Sequence, residues 1–233
     1  MKSLILTLLI SLASFQVLAA EATHVDKVEV DITDQASLQR GAKTFVNYCL
    51  SCHQAAYMRY NRMAKDLGLT DDQVKDNLMF ASDKVGDTMT VAMRPEDAKK
   101  WFGVTPPDLS VIARSRGTDW LYTYLRTFYL DSSRPVGTNN LAFKDVGMPH
   151  VLWEQQGYQT KDEKTGELNT PEKAPLSTHE YNQLVYDLVN FLEYIGEPSK
   201  LQRMALAKWV LLYLVLFLLI AYPLKKAFWK DVH

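Results

Sequence analysis

Residues 209–224 read WVLLYLVLFLLIAYPL, sixteen positions without a charged side chain. In hydrocarbon every backbone N–H and C=O must find its partner inside the segment, so a run like this forms a helix. Extended back to Met204 it has 21 residues, with Lys208 as its single charge. At ~1.5 Å per residue that is about 31 Å, the thickness of a bilayer core. Lys208 can snorkel to the interface. Trp209, Tyr222 and Trp229 stand where interfacial aromatics stand, and Lys225, Lys226 and Lys230 cluster beyond the span. Positive charge marks the cytoplasmic side, which puts the bulk of the chain on the other side. The expectation is a transmembrane helix with a short lead-in over 201–224 and a cytoplasmic tail over 225–233. A buried helix of a soluble core accounts poorly for so long an uncharged run.

The other end agrees. Lys2 precedes a mostly apolar stretch from Leu4 to Val17, and Ala19 and Ala20 follow. This is the layout of a secretory signal over 1–20, cleaved after Ala19 or Ala20. Thr7, Ser11, Ser14 and Gln16 interrupt it, which argues against a retained anchor, and it lacks the arginines of a mitochondrial transit peptide. The body, 21–200, is therefore read as exported. With 47% hydrophobic and 23% charged residues the chain has a globular composition. Setting aside Lys2, Lys208, Lys225, Lys226, Lys230 and Asp231 leaves 21 of the 26 basic and 26 of the 27 acidic residues, a net charge near −5 on the body. An acidic body suits a basic protein partner and argues against nucleic acid; an ordinary solvated surface has the same composition.

Helical signals dominate the body. Leu38, Ala42, Phe45 and Cys49 follow helical spacing over Gln35 to Tyr48. Thr70 with Gln73, and Ser177 with Glu180, form capping boxes ahead of apolar stripes. Pro95 opens a short helix ending at Gly103, Pro106-Pro107 halts any helix, and Thr118 is placed to cap the next. Tyr181, Leu184, Leu188, Leu192 and Ile195 stripe a helix ended by Gly196 and Pro198, and Ser199 and Gln202 start the last one. Residues 131–176 read as mainly loop, with 155–175 a polar surface excursion. No strand pattern stands out, so an all-α domain with long loops is expected.

The two cysteines of the chain fall in CLSCH, residues 49–53. C-x-x-C-H is the attachment pattern of a c-type haem. Two thiols about one helical turn apart reach the two vinyl groups, and the adjacent imidazole projects toward the iron. Zinc or thiol-redox chemistry would need a second ligand pair or a thioredoxin-like setting, and neither is visible. His53 then binds iron through Nε2, and its other nitrogen needs an acceptor. Pro106 or Pro107 can offer a carbonyl, since a proline loop has no helix in which to pair it.

The sixth ligand has to come from the opposite face. Met58 and Met63 lie too near His53 on what reads as the same helical stretch, and Met204 lies at the membrane. Met79, Met89, Met93 and Met148 remain. Met148 precedes Pro149 in a tight Val-Gly-Met-Pro-His loop, which restricts its backbone. His150 competes with it, and an open sixth position is a third choice. Met/His ligation suits electron transfer; an open site suits gas or peroxide chemistry.

Taken together, CLSCHQAAYMRYNR, PPDLSVIARSRG, TDWLYTYLRTFYLD, NNLAFKDVGMPHVLWEQQG and the KWVLLYLVLFLLIAYPLKKAFWKDVH ending resemble the cytochrome c1 family of proteobacterial cytochrome bc1 complexes. The resemblance covers essentially the whole mature chain. It implies an enlarged class I cytochrome c-like haem domain with one haem c, and iron ligated by His53 and Met148. It implies a propionate contact from the second Arg of the R-x-R segment, Arg116, with Arg114 beside it as the other candidate. Trp120 stands where many members have Tyr at the haem edge, and Pro107 and Phe143 fall to the haem pocket. Some bacterial members carry a disulfide for which this chain has no spare cysteine. The implied function is electron transfer from a Rieske [2Fe-2S] protein to a cytochrome c, within a dimeric complex that includes cytochrome b in the bacterial inner membrane. The haem domain would then be periplasmic and the anchor in contact with lipid. The rivals are a free-standing tethered electron carrier and a haem enzyme or sensor with an open site.

Overall fold

The structure, a computed structural model, describes residues 25–171 and 174–231. The expected signal, 1–20, and the last two residues of the tail lie outside the described residues.

The body is organised by two helices that come from opposite ends of it. Helix α1, Gln35–Thr44, is capped by Asp34, whose carboxylate accepts from Ser37 N–H at 3.0 Å. It packs most extensively on α8, Thr178–Gly196. Leu38 and Ala42 share one core with Val185, Leu188 and Phe191, and the Phe45 and Phe191 rings meet at 5.5 Å. Each such ring taken out of water stabilises the fold by roughly 2–3 kcal/mol. The crossing is close because residue 41 has no side chain: a Cβ there would sit 2.0 Å from the Asp187 carbonyl oxygen. Polar groups fix the register. Asp187 is buried and takes hydrogen bonds from Arg40 Nε (2.6 Å), Arg40 Nη2 (2.9 Å) and Ser37 Oγ (2.7 Å).

Between these helices the chain runs through β1 (Ala55–Arg59), α2 (Tyr60–Asp66), α3 (Asp71–Leu78), β2 (Thr88–Met89), α4 (Pro95–Phe102), α5 (Ile112–Arg116) and α6 (Thr118–Arg126). It continues through β3 (Phe128–Leu130), β4 (Thr138–Asn140), α7 (Trp153–Gln156), β5 (Thr160–Lys161) and β6 (Leu168–Asn169). Both expected capping boxes form, at Thr70 and Gln73 and at Ser177 and Glu180. Helix α4 starts at Pro95 and ends on Gly103 in the left-handed conformation, as its residues dictate. Helices α5 and α6 pack on α8, and Tyr181 Oη donates to the Leu125 carbonyl at 2.8 Å.

The fold is mainly helical, and among the described residues it has three two-stranded antiparallel ladders, β1–β2, β3–β4 and β5–β6, that the sequence reading lacked. Their strands are two to five residues long, too short for an alternation to register. Met58 therefore sits on a strand and not on a helix shared with His53. At α6 the cap is Gly117, and Thr118 is the first helical residue, with no side-chain cap bond. Helix α1 extends past Thr44 as a wide π-helical turn over Phe45–Cys49, closed by Leu50 N–H to the Phe45 carbonyl at 2.9 Å.

Helix α9, Lys200–Phe228, follows α8 after only Glu197, Pro198 and Ser199. Its 29 residues span about 44 Å at ~1.5 Å each. None of its side chains is buried against the body, and it is long and apolar enough to cross a membrane. Lys208 lies over Trp209 and Lys226 over Tyr222, cation beside aromatic at each end of the apolar run.

Candidate functional site

The end of α1 delivers the CLSCH segment. After the wide turn, the N–H groups of Cys52 and His53 both return to the Cys49 carbonyl, at 3.0 and 2.8 Å. This wraps the three side chains onto one cleft. The rest of the rim comes from Phe102 at the end of α4, Val104 beyond it, Pro106-Pro107, and Gly147-Met148-Pro149. The cleft has a cavity volume of about 90 Å³ and its walls are almost entirely apolar.

Residues 105–110 are stapled to residues 54–57. Leu109 N–H donates to the Gln54 carbonyl at 2.8 Å, Ala56 N–H to Asp108 Oδ2 at 3.3 Å, and Tyr57 N–H to Ser110 Oγ at 3.1 Å. That places the Pro107 carbonyl 2.8 Å from His53 Nδ1. A carbonyl can only accept, so Nδ1 carries the proton and Nε2 keeps its lone pair. Burial lowers the His53 pKa, with the Pro107 carbonyl opposing, so the ring is held neutral as a metal ligand must be. Burial, and then the neighbouring Cys52, push the Cys49 thiol up to about 12. Cys49 is thus no activated thiolate of the kind that serves thiol–disulfide exchange.

The Met148 loop is built with equal care. Asp145 adopts a left-handed backbone, φ 62°, held by its N–H to Asn139 Oδ1 at 2.8 Å and by Arg134 Nη2 to its carbonyl at 2.9 Å. Gly147 lets the two walls approach: a Cβ there would lie 3.1 Å from Val104 Cγ2. Tyr124 Oη reaches the Met148 sulfur at 3.3 Å. Behind it Trp120 stacks on Tyr124 at 4.9 Å, and the Arg116 guanidinium lies 5.0 Å from the Trp120 ring and 5.9 Å from that of Phe143.

Of the residues singled out from sequence, the cleft gathers Cys49, Cys52, His53, Pro107 and Met148, with Arg116, Trp120 and Phe143 grouped beside it through Tyr124. Arg114 goes elsewhere, with its guanidinium 3.6 Å from Glu197 at the foot of α8. Met58, Met63, Met79 and Met89 are core residues. His150 is buried, stacked on Phe128 at 5.1 Å, and does not line the cleft. Sequence reasoning missed Tyr124, although Trp120, Tyr124 and Phe128 stand at i, i+4, i+8. It also missed Phe102 and Val104. The donor set fits a haem: two thiols on one turn, an imidazole with Nδ1 already engaged, and a thioether, all on an apolar cleft. Among the described residues no group of three or more His, Cys, Asp and Glu side chains is arranged to hold a bare metal ion.

Comparisons with known proteins converge on one family. Residues 26–232 match the family model described as the Cytochrome C1 family. A cytochrome c1 from Allochromatium vinosum is 48% identical over 244 residues, covering 100% of both chains. A protein of Nitrosomonas europaea called ammonia monooxygenase gamma subunit is 49% identical over 215 residues, covering 92% of each. Cytochrome c1 of Rhodospirillum rubrum is 26% identical over 228 residues, covering 85% of this chain and 83% of the other. With the haem-attachment turn, the apolar cleft and the long apolar C-terminal helix in place, the chain belongs to the cytochrome c1 family, electron-transfer proteins that carry covalently bound haem c.

Proposed function

We propose that the chain is the membrane-anchored haem c subunit of a cytochrome bc1 complex, passing single electrons from a Rieske protein to a cytochrome c. The observation that carries the residue assignments is the cleft that gathers Cys49, Cys52, His53 and Met148. Cys49 and Cys52 supply the two thioether links. His53, oriented by Pro107 and with Nε2 left free to bind, and Met148 would be the side chains that hold the iron. Arg116, braced on Trp120 and Phe143, holds a propionate; Arg114, engaged with Glu197, is the poorer candidate. When bound, the haem supplies a one-electron couple, and Met/His ligation places its potential high enough to follow a Rieske centre. The protein's part is to hold the ligands, keep water from the apolar cleft and present a docking face.

The signal over 1–20, the domain over 21–200 and the basic end of α9 support a periplasmic haem domain with a cytoplasmic C-terminus. A family match over residues 26–232 favours a complex subunit over a free-standing carrier. A second reading follows from the Nitrosomonas relative, whose name assigns it to a monooxygenase. Mild-detergent purification of the tagged chain separates the readings. Cytochrome b and a Rieske subunit are expected in stoichiometric amounts, in a dimeric assembly. Monooxygenase subunits in their place, or a lone monodisperse chain, would overturn the bc1 reading.

A further inference from the structure

The Tyr124 hydroxyl lies 3.3 Å from the Met148 sulfur. A thioether has no proton to give, so tyrosine donates and sulfur accepts. The ring is fixed from several sides. It stacks on Trp120 at 4.9 Å and 10°, and meets Phe128 edge-on at 5.1 Å. The Tyr124 backbone is fixed too, since Asn140 Nδ2 donates to its carbonyl at 2.7 Å. The Met148 loop is independently pinned by Asn139 and Arg134 at Asp145. Two rigid elements therefore bring one hydroxyl to one sulfur.

We propose that Tyr124 is a positioning residue that sets how strongly Met148 donates to iron, and so tunes the reduction potential. The proposal rests on the reading of Met148 as an axial ligand. Sulfur carries two lone pairs, so one can accept from Tyr124 while the other faces a metal. The O–H dipole draws electron density off the sulfur and makes it a poorer donor. Ferric iron, with the higher charge, loses more from a poorer donor than ferrous iron does. The hydroxyl therefore favours the ferrous state and raises the potential, as outer-shell hydrogen bonds do elsewhere.

Tyr124→Phe keeps the ring and both aromatic contacts and removes only the hydroxyl. The test compares wild type, Tyr124→Phe and Met148→Leu as haem-loaded full-length chains in detergent. It reads the far-red Met–iron charge-transfer band, the equilibrium with a one-electron mediator, and cyanide binding to the ferric form. Met148→Leu is expected to abolish the band. Tyr124→Phe is expected to keep it and shift the mediator equilibrium roughly three- to tenfold toward ferric, up to about 59 mV for a one-electron couple. Cyanide affinity is expected to fall by a similar factor, because the unencumbered sulfur is harder to displace. A ring that merely fills space predicts the opposite for cyanide, since a looser loop yields its ligand more easily; tighter cyanide binding thus overturns the proposal. So does a Tyr124→Phe protein identical to wild type. A band that survives Met148→Leu overturns the ligand reading, and this proposal with it.

Discussion

Gly41→Ala tests the crossing of α1 and α8 with one methyl group. The added Cβ would meet the Asp187 carbonyl oxygen at 2.0 Å, the Asp187 carbonyl carbon at 2.8 Å and Phe191 Cβ at 2.7 Å. Ordinary contacts of this kind begin near 3.4 Å, so the helices must part by about 1 Å or more. The obstacle is helix backbone, which cannot rotate aside as a side chain can. Overpacking of a dense core costs about 1–3 kcal/mol, occasionally more, and this site belongs at or above the upper end. Parting the helices also strains the Phe45–Phe191 contact and the Arg40–Asp187 pair. For a body of this size about 3 kcal/mol corresponds to a fall in Tm of about 6–12 °C. Thermal unfolding of the haem-loaded protein, followed by near-UV circular dichroism, measures it. Gly86→Ala is the control, because a Cβ there meets nothing within 4 Å. Equal Tm values for the two variants would refute the reasoning. The expected accompaniment is a lower yield of attached haem, because α1 runs directly into the turn that bears Cys49.

Asp187→Ala removes the acceptor shared by Ser37 and Arg40; Arg40 is half exposed, so the cost should be about 2–3 kcal/mol and appear as a lower denaturant midpoint. Cys52→Ala should leave haem held by a single thioether, read as a shifted pyridine haemochrome band, whereas the variant lacking both cysteines should release its haem to acid–acetone extraction. Electron transfer to a basic cytochrome c should slow as ionic strength rises, since screening acts within about 10 Å at 0.1 M; a flat stopped-flow salt profile would exclude electrostatic docking.

What could be read from sequence was chemistry confined to a few neighbouring residues. The CLSCH turn, the two capping boxes and the Pro95–Gly103 helix each depend on side chains within eight positions, and each is present. The short strands depend instead on distant polar side chains. Gln159, for instance, donates to the Arg126 and Phe128 carbonyls across some thirty residues, which no local pattern announces. Arg114 and Arg116 look alike in sequence, and only the fold shows Glu197 beside one and Trp120 beside the other. Tyr124 was legible only as one member of an aromatic stripe, because its role depends on a sulfur 24 residues later.

The three-residue connector between α8 and α9 limits reach. Fully extended, Glu197, Pro198 and Ser199 span about 10 Å. They are also tied down on both sides: Lys200 pairs with Glu193, Arg203 with Glu197, and Arg62 Nη2 donates to the Pro198 carbonyl at 3.3 Å. The body is therefore tethered within about 10 Å of the start of α9. The cleft has little freedom to travel away from that helix, so a partner that exchanges electrons with it has to come to it.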